Sequence, residues 1–209
     1  LIIGDMAGQN GTFAGKYNVA LGASNMRDLT DGANNTFIGN ANAICATTGS
    51  RNIVMGTHNA WGNGAGTGAD NIVLGHCSFF CWNSAKTNVV IGKCAGHDMS
   101  SGCENVLIGC SAGYRLTDGN RNVIIGGYEQ TGSPGTGGDY NVFAGWNAGR
   151  CATTGNYNVV FGGNAGQCVG GSDNFIVGNL AGGKSTAGNY NFMVGSSAGC
   201  QVKSSSNIL

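Results

Sequence analysis

Asn88-Val89-Val90-Ile91-Gly92 is the phrase that decides the fold: an Asn, three apolar residues, then a Gly. The same phrase starts at Asn18, Asn35, Asn52, Asn71, Asn88, Asn105, Asn122, Asn141, Asn158, Asn174 and Asn191, and begins again at Asn207. Successive spacings are 17, 17, 19, 17, 17, 17, 19, 17, 16, 17 and 16 residues. Leu1-Ile2-Ile3-Gly4 is a further copy without its Asn. A fixed period near 17 across the whole length marks a repeat architecture in which each unit stacks on its neighbours.

Three-residue runs rich in Val, Ile and Phe favour strands and are too short for a helix. The Gly that ends each run, from Gly4 to Gly195, suits a corner where the backbone turns sharply. A second Gly stands three residues before most of the ladder positions, as in Gly15, Gly49, Gly119 and Gly188. Each repeat therefore reads as one turn of an all-β parallel β-solenoid of about twelve coils. Residues 1–209 form one continuous domain, expected to be a window from a longer chain. Stacked coils about 4.8 Å apart would make a rod of roughly 50 Å. The recurrent Asn is expected to form a ladder, each amide bonding to the coils on either side.

Composition excludes several classes. Forty glycines without a three-residue period are not collagen, and 41% hydrophobic residues are not a disordered chain. Ten basic and ten acidic residues cancel, which argues against nucleic acid as a partner. The apolar runs are far too short for a membrane span. The regular Asp of calcium-binding nonapeptides and the leucine pattern of leucine-rich repeats are both missing. His58, His76 and His97 stand in variable positions, and none has a neighbouring Cys or Ser in a triad arrangement. No catalytic residue, metal ligand or cofactor is expected.

The pattern N-x-x-I-G-x-x-A, closing with T-T-G before the next Asn, resembles the repeats of phage and viral tail-fibre-type proteins and related bacterial surface proteins. Ile38-Gly39 with Thr47-Thr48-Gly49 and Asn52 carries the resemblance, as does Gly145-Trp146-Asn147-Ala148 with Thr153-Thr154-Gly155 and Asn158. A Gly where such repeats more often have Leu, and the abundant Cys, depart from it. The resemblance implies a non-enzymatic rod in an extracellular, cell-surface or virion fibre, assembled as a homo-oligomer with a trimer favoured.

Strand side chains alternate, so only one parity of each apolar triplet can enter the core of a single solenoid. The second column, which includes Val54, Val73, Val90, Leu107, Ile124, Phe143, Val160 and Ile176, is the candidate oligomer face. Alternation alone leaves open which parity faces inward, and a flattened solenoid or a flanking loop would cover the stripe within one chain. Nine residues after the Asn, four successive coils give Trp61, Phe80, His97 and Tyr114. Such a column is a candidate stacking surface for a surface glycan or receptor, with an aromatic ladder that only stabilises the rod as the alternative. Among nine cysteines, Cys77 with Cys94 and Cys151 with Cys168 share a column in adjacent coils, so each pair is a candidate disulfide. Buried small thiols in stacked columns are the alternative.

Overall fold

The computed structural model describes residues 1–9, 15–43, 48–60, 66–79, 81, 83–127, 138–150, 152, 155–183 and 188–209. Among these the only regular elements are twelve strands, one per repeat: β1 (Ile2–Ile3), β2 (Val19–Leu21), β3 (Thr36–Asn40), β4 (Ile53–Thr57), β5 (Ile72–His76) and β6 (Val89–Lys93), followed by β7 (Val106–Ile108), β8 (Val123–Ile125), β9 (Val142–Ala144), β10 (Val159–Phe161), β11 (Phe175–Val177) and β12 (Phe192–Val194). Each strand pairs in parallel with the next, giving one twelve-stranded sheet in chain order. The chain is a parallel β-solenoid. Register survives every irregular spacing: Ile53 pairs with Ile72 across 19 residues, and Val159 with Phe175 across 16. Both insertions and both deletions are thus absorbed in the loops, outside the strand.

Parity is the reverse of the expected assignment. The second column is the interior, with Val54, Val73, Val90, Leu107 and Val160 at 0% exposure, Ile176 at 1% and Phe143 at 7%. Ile124 is half-buried and packs against the core on both sides of it. These residues are therefore not an oligomer face. The first and third columns face outward, with Ile53 42%, Met55 39%, Ile125 44%, Phe161 41%, Phe175 39% and Phe192 48% exposed. The cause lies in the repeat itself. The ladder Asn is two positions before the second column and shares its parity, so burying the amides draws the second column inward with them.

The ladder is continuous from Asn18 to Asn207. Each Nδ2 donates to Oδ1 of the preceding Asn at 2.7–3.1 Å. Asn105 shows the full pattern. Its backbone N–H and Nδ2 donate to Asn88 Oδ1 at 2.9 and 3.0 Å, and Nδ2 also donates to the Gly119 carbonyl at 2.8 Å. Its own Oδ1 accepts from the backbone N and Nδ2 of Asn122 at 2.9 and 3.1 Å. All four bonding sites of the amide are filled with no solvent exposure. Asn105→Ala would strip the Asn122 N–H and the Gly119 carbonyl of their partners inside the core. At about 1–3 kcal/mol for each orphaned group, a loss of roughly 3 kcal/mol is expected. The exposed Asn179, changed to Ala as a control, should shift stability by no more than about 0.5 kcal/mol. Urea unfolding of the two variants checks the difference.

Closing a coil in so few residues forces unusual backbone. The residue before every ladder Asn has φ between 56° and 63°, and none of the twelve is Gly. They include Tyr17, Arg51, Asp70 and the β-branched Thr87. Each left-handed residue costs roughly 1–2 kcal/mol. The hydrogen bonds of the following Asn offset that cost, because the turn is what aims its amide along the stack.

Candidate functional site: the outward sheet face and its borders

Two further side-chain ladders flank the sheet. Seven residues after the first ladder, Asn25, Asn42 and Asn59 are buried and linked, with Asn42 N and Asn59 N donating to the preceding Oδ1 at 3.1 and 3.2 Å. Ser78 ends this run by donating its N–H to Asn59 Oδ1 at 2.9 Å. From the next coil onward the described residues of the column are Ala95, Ala112, Ala148, Ala165, Ala181 and Ala198, with Glu129 standing between the second and third in sequence. That change from Asn to Ala hides the second ladder from a reading by type, although the 17-residue spacing of the three Asn is visible. A third ladder runs two residues before the first, in the opposite sense. Cys103 N donates to Asn120 Oδ1, Asn120 N to Asp139 Oδ1, Asp139 N to Asn156 Oδ1 and Ser172 N to Asn189 Oδ1, at 2.7–2.9 Å. The polar side chains of these columns are thus engaged in holding coil to coil.

The outward sheet face lies between two corners. The first and third apolar columns of β2 to β12 place 22 side chains on it, and Thr36 is the one polar member. Neither column holds a charged residue; β3 to β6 run on past the glycine to Asn40, Thr57, His76 and Lys93 at its border. Phe175 and Phe192 stack on this face with centroids 5.1 Å apart. Along one border the left-handed corner residues form a ridge. Arg51 donates from Nε and Nη2 to the two carboxylate oxygens of Asp70 at 2.6 and 2.8 Å. Arg121 donates to Glu104 at 2.8 Å, hydrogen-bonds the Tyr140 hydroxyl and lies 5.1 Å over that ring. Tyr140 in turn stacks on Tyr157 at 4.9 Å. The hydrogen bonds from Arg51 and Arg121 hold the carboxyls of Asp70 and Glu104 below their ordinary pKa. These groups are exposed, so the pairs order the ridge and contribute little stability.

The aromatic column is placed in part. His97 and Tyr114 stack with centroids 4.6 Å apart and an interplanar angle of 2°, while Trp61 and Phe80 lie outside the described residues. His97 Nδ1 is 2.6 Å from Asp98 Oδ1, and desolvation followed by the Asp98 charge raises the Tyr114 pKa. Each of these two rings therefore covers one face of the other.

Cys77 and Cys94 do share a column and a left-handed corner, with φ of 51° and 55°, yet they form no disulfide with one another. In-register neighbours keep their Cβ atoms about one strand spacing apart, near 4.8 Å, beyond the ~3.5–4.5 Å a disulfide requires. Cys151, the expected partner of Cys168, lies outside the described residues. Burial, then the Asp98 charge, pushes the Cys81 thiol up, opposite to the lowering that marks a reactive cysteine.

Among the described residues no cluster of three or more His, Cys, Asp or Glu could hold a metal ion. A groove is lined by Ser111, Ile124, Phe143, Asn147 and Arg150, with Arg150 its one charged side chain among the described residues. Among the described residues no helix is long and apolar enough to cross a membrane. No family model, no curated protein and no solved structure matches this chain.

Proposed function

We propose that the chain is a non-enzymatic structural rod, a segment of a surface or tail fibre at a cell surface or virion, that associates with copies of itself through the outward sheet face. The observation that carries this reading is the outward pair of columns, 22 side chains without a single charge. Such a stripe measures about 50 Å by 10 Å at strand and side-chain spacings. That is a large apolar patch for a surface in permanent contact with water. Sheets exposed to solvent normally place charges on their outer face; this one keeps its charges on the bordering corners. The polar side chains of the ladders are spent on coil-to-coil bonds, which favours a load-bearing part over a catalytic one. A glycan-binding module has less support, since His97 and Tyr114 stack on one another and each withdraws one ring face from a ligand.

Changing Val89, Val106 and Val123 together to Asp tests the reading. Each is outward and half-buried within one chain, so the coil should keep its β-type circular dichroism. Three carboxylates in a dry interface should weaken association by more than about 1,000-fold. Sedimentation of the wild type at micromolar concentration should show a multimer, and the variant a monomer. A wild type that sediments as a monomer overturns the proposal.

A further inference from the structure

Resting on the self-association just proposed, we infer that the partner is a single second copy, packed face to face with its coil order reversed. The argument comes from the uneven bulk of the outward columns. β9 offers Val142 and Ala144, the smallest pair, while β10, β11 and β12, the next three strands, carry Phe161, Phe175 and Phe192. β4 offers Ile53 and Met55, among the bulkiest aliphatic pairs. Any arrangement that puts the same coil of every copy in one layer repeats each size against itself. A three-fold bundle, which the family resemblance implies, and a parallel pair both do this. Either would leave a gap at β9 one strand away from layers held apart by phenylalanines, and close-packed interfaces do not tolerate such voids.

Reversal removes the conflict. With full overlap β12 lies opposite β1, β9 opposite β4, and β7 opposite β6. Ala144 then meets Met55 of the second copy, and Phe161, Phe175 and Phe192 meet the aliphatic Ile38, Val19 and Leu1. The two-fold axis of this reversal runs along the strand direction, so it also sets the two corner ridges side by side. Asp70, before β5, comes opposite Arg121, before β8, and Arg51 comes opposite Tyr140; no like charges are opposed. The two stripes together hide about 1,000 Å² even as a flat projection, which reaches the size of a specific interface. Two copies cover the one apolar face completely, so assembly closes at two.

The test is a size swap across the interface, read by sedimentation equilibrium. The wild type should run at twice the chain mass of 21.1 kDa. Ala144→Phe overfills the contact with Met55 and should weaken the dimer about tenfold or more. Adding Met55→Ala should recover most of that loss. On one chain β4 and β9 are five strands apart, roughly 24 Å, so they can compensate only across a reversed interface. If Ala144→Phe fails to fold, replacing Met55 with the photocrosslinker p-benzoylphenylalanine gives the same information. Capture of β9 supports reversal, and capture of β4 of a second copy overturns it. A trimer, or a dimer in which the two substitutions weaken association independently, overturns this arrangement while leaving self-association standing. A monomeric wild type overturns both.

Discussion

Leu107→Asp is expected to unfold the middle of the rod, while Val106→Asp, one residue earlier, leaves the single chain folded. Leu107 has no exposed surface and sits in register between Val90 and Ile124. A carboxylate there must either stay charged in a dry core or bind a proton far above its ordinary pKa, and both cost several kcal/mol. Loss of the leucine adds the cavity cost of a large-to-small change, about 2–5 kcal/mol. The sum reaches the whole stability of an ordinary domain, about 5–15 kcal/mol. Because stacked coils contact only their neighbours, the damage should centre on β6 to β8. Hydrogen exchange should therefore lose protection there first. Val106 points outward and is half-buried, so its replacement should cost a lone chain about 1 kcal/mol or less. The reverse result, a stable Leu107→Asp beside an unfolded Val106→Asp, would contradict the inward assignment of the second column.

That assignment was within reach of the sequence. The strand length, the parallel stacking and the Asn ladder all follow from the phrase at residues 88–92 and its period. Parity follows too, once the ladder amides are required to be buried, because Asn105 and Leu107 are two apart on one strand and so face the same way. Other features had no local signal. Tyr17, Arg51, Asp70 and Thr87 share nothing that favours a left-handed backbone, yet all adopt it. Coil closure imposes that conformation, and the bonds made by the next Asn hold it. The candidate cysteine pair failed for a geometric reason: a shared column places Cα atoms within disulfide range but keeps Cβ atoms too far apart. In the aromatic column, stacking at one strand spacing joins His97 to Tyr114, a contact the residue list alone does not give, while Trp61 and Phe80 lie outside the described residues.

Gly92→Val should be as damaging as a charge in the core, through backbone alone. Gly92 has φ of +137°, a region that a β-branched residue cannot enter without strain of about 1–3 kcal/mol. A Cβ there would also lie 2.2 Å from the Gly109 carbonyl oxygen and 2.7 Å from its carbonyl carbon. Neither atom is the end of a flexible side chain that can swing aside. Relief requires β6 and β7 to separate, which breaks the bonds that place Gly109 N 2.8 Å from Ile91 O and Val89 N 2.8 Å from Asn105 O. The same contact recurs up the stack, with Gly75 against Gly92 and Gly109 against Gly126, so a coil cannot shift without disturbing the next. A loss of more than about 4 kcal/mol is expected, in the range that marks a specific structural conflict. Gly163→Ala is the matched control. It has no positive φ, and the nearest atom to an added Cβ is 3.8 Å away. There the smaller freedom of Ala in the unfolded chain should raise stability by about 0.4–1 kcal/mol. Thermal unfolding of the two variants decides the point: equal midpoints would mean that the corner glycines are conserved in the repeat for some reason other than the close approach of successive coils.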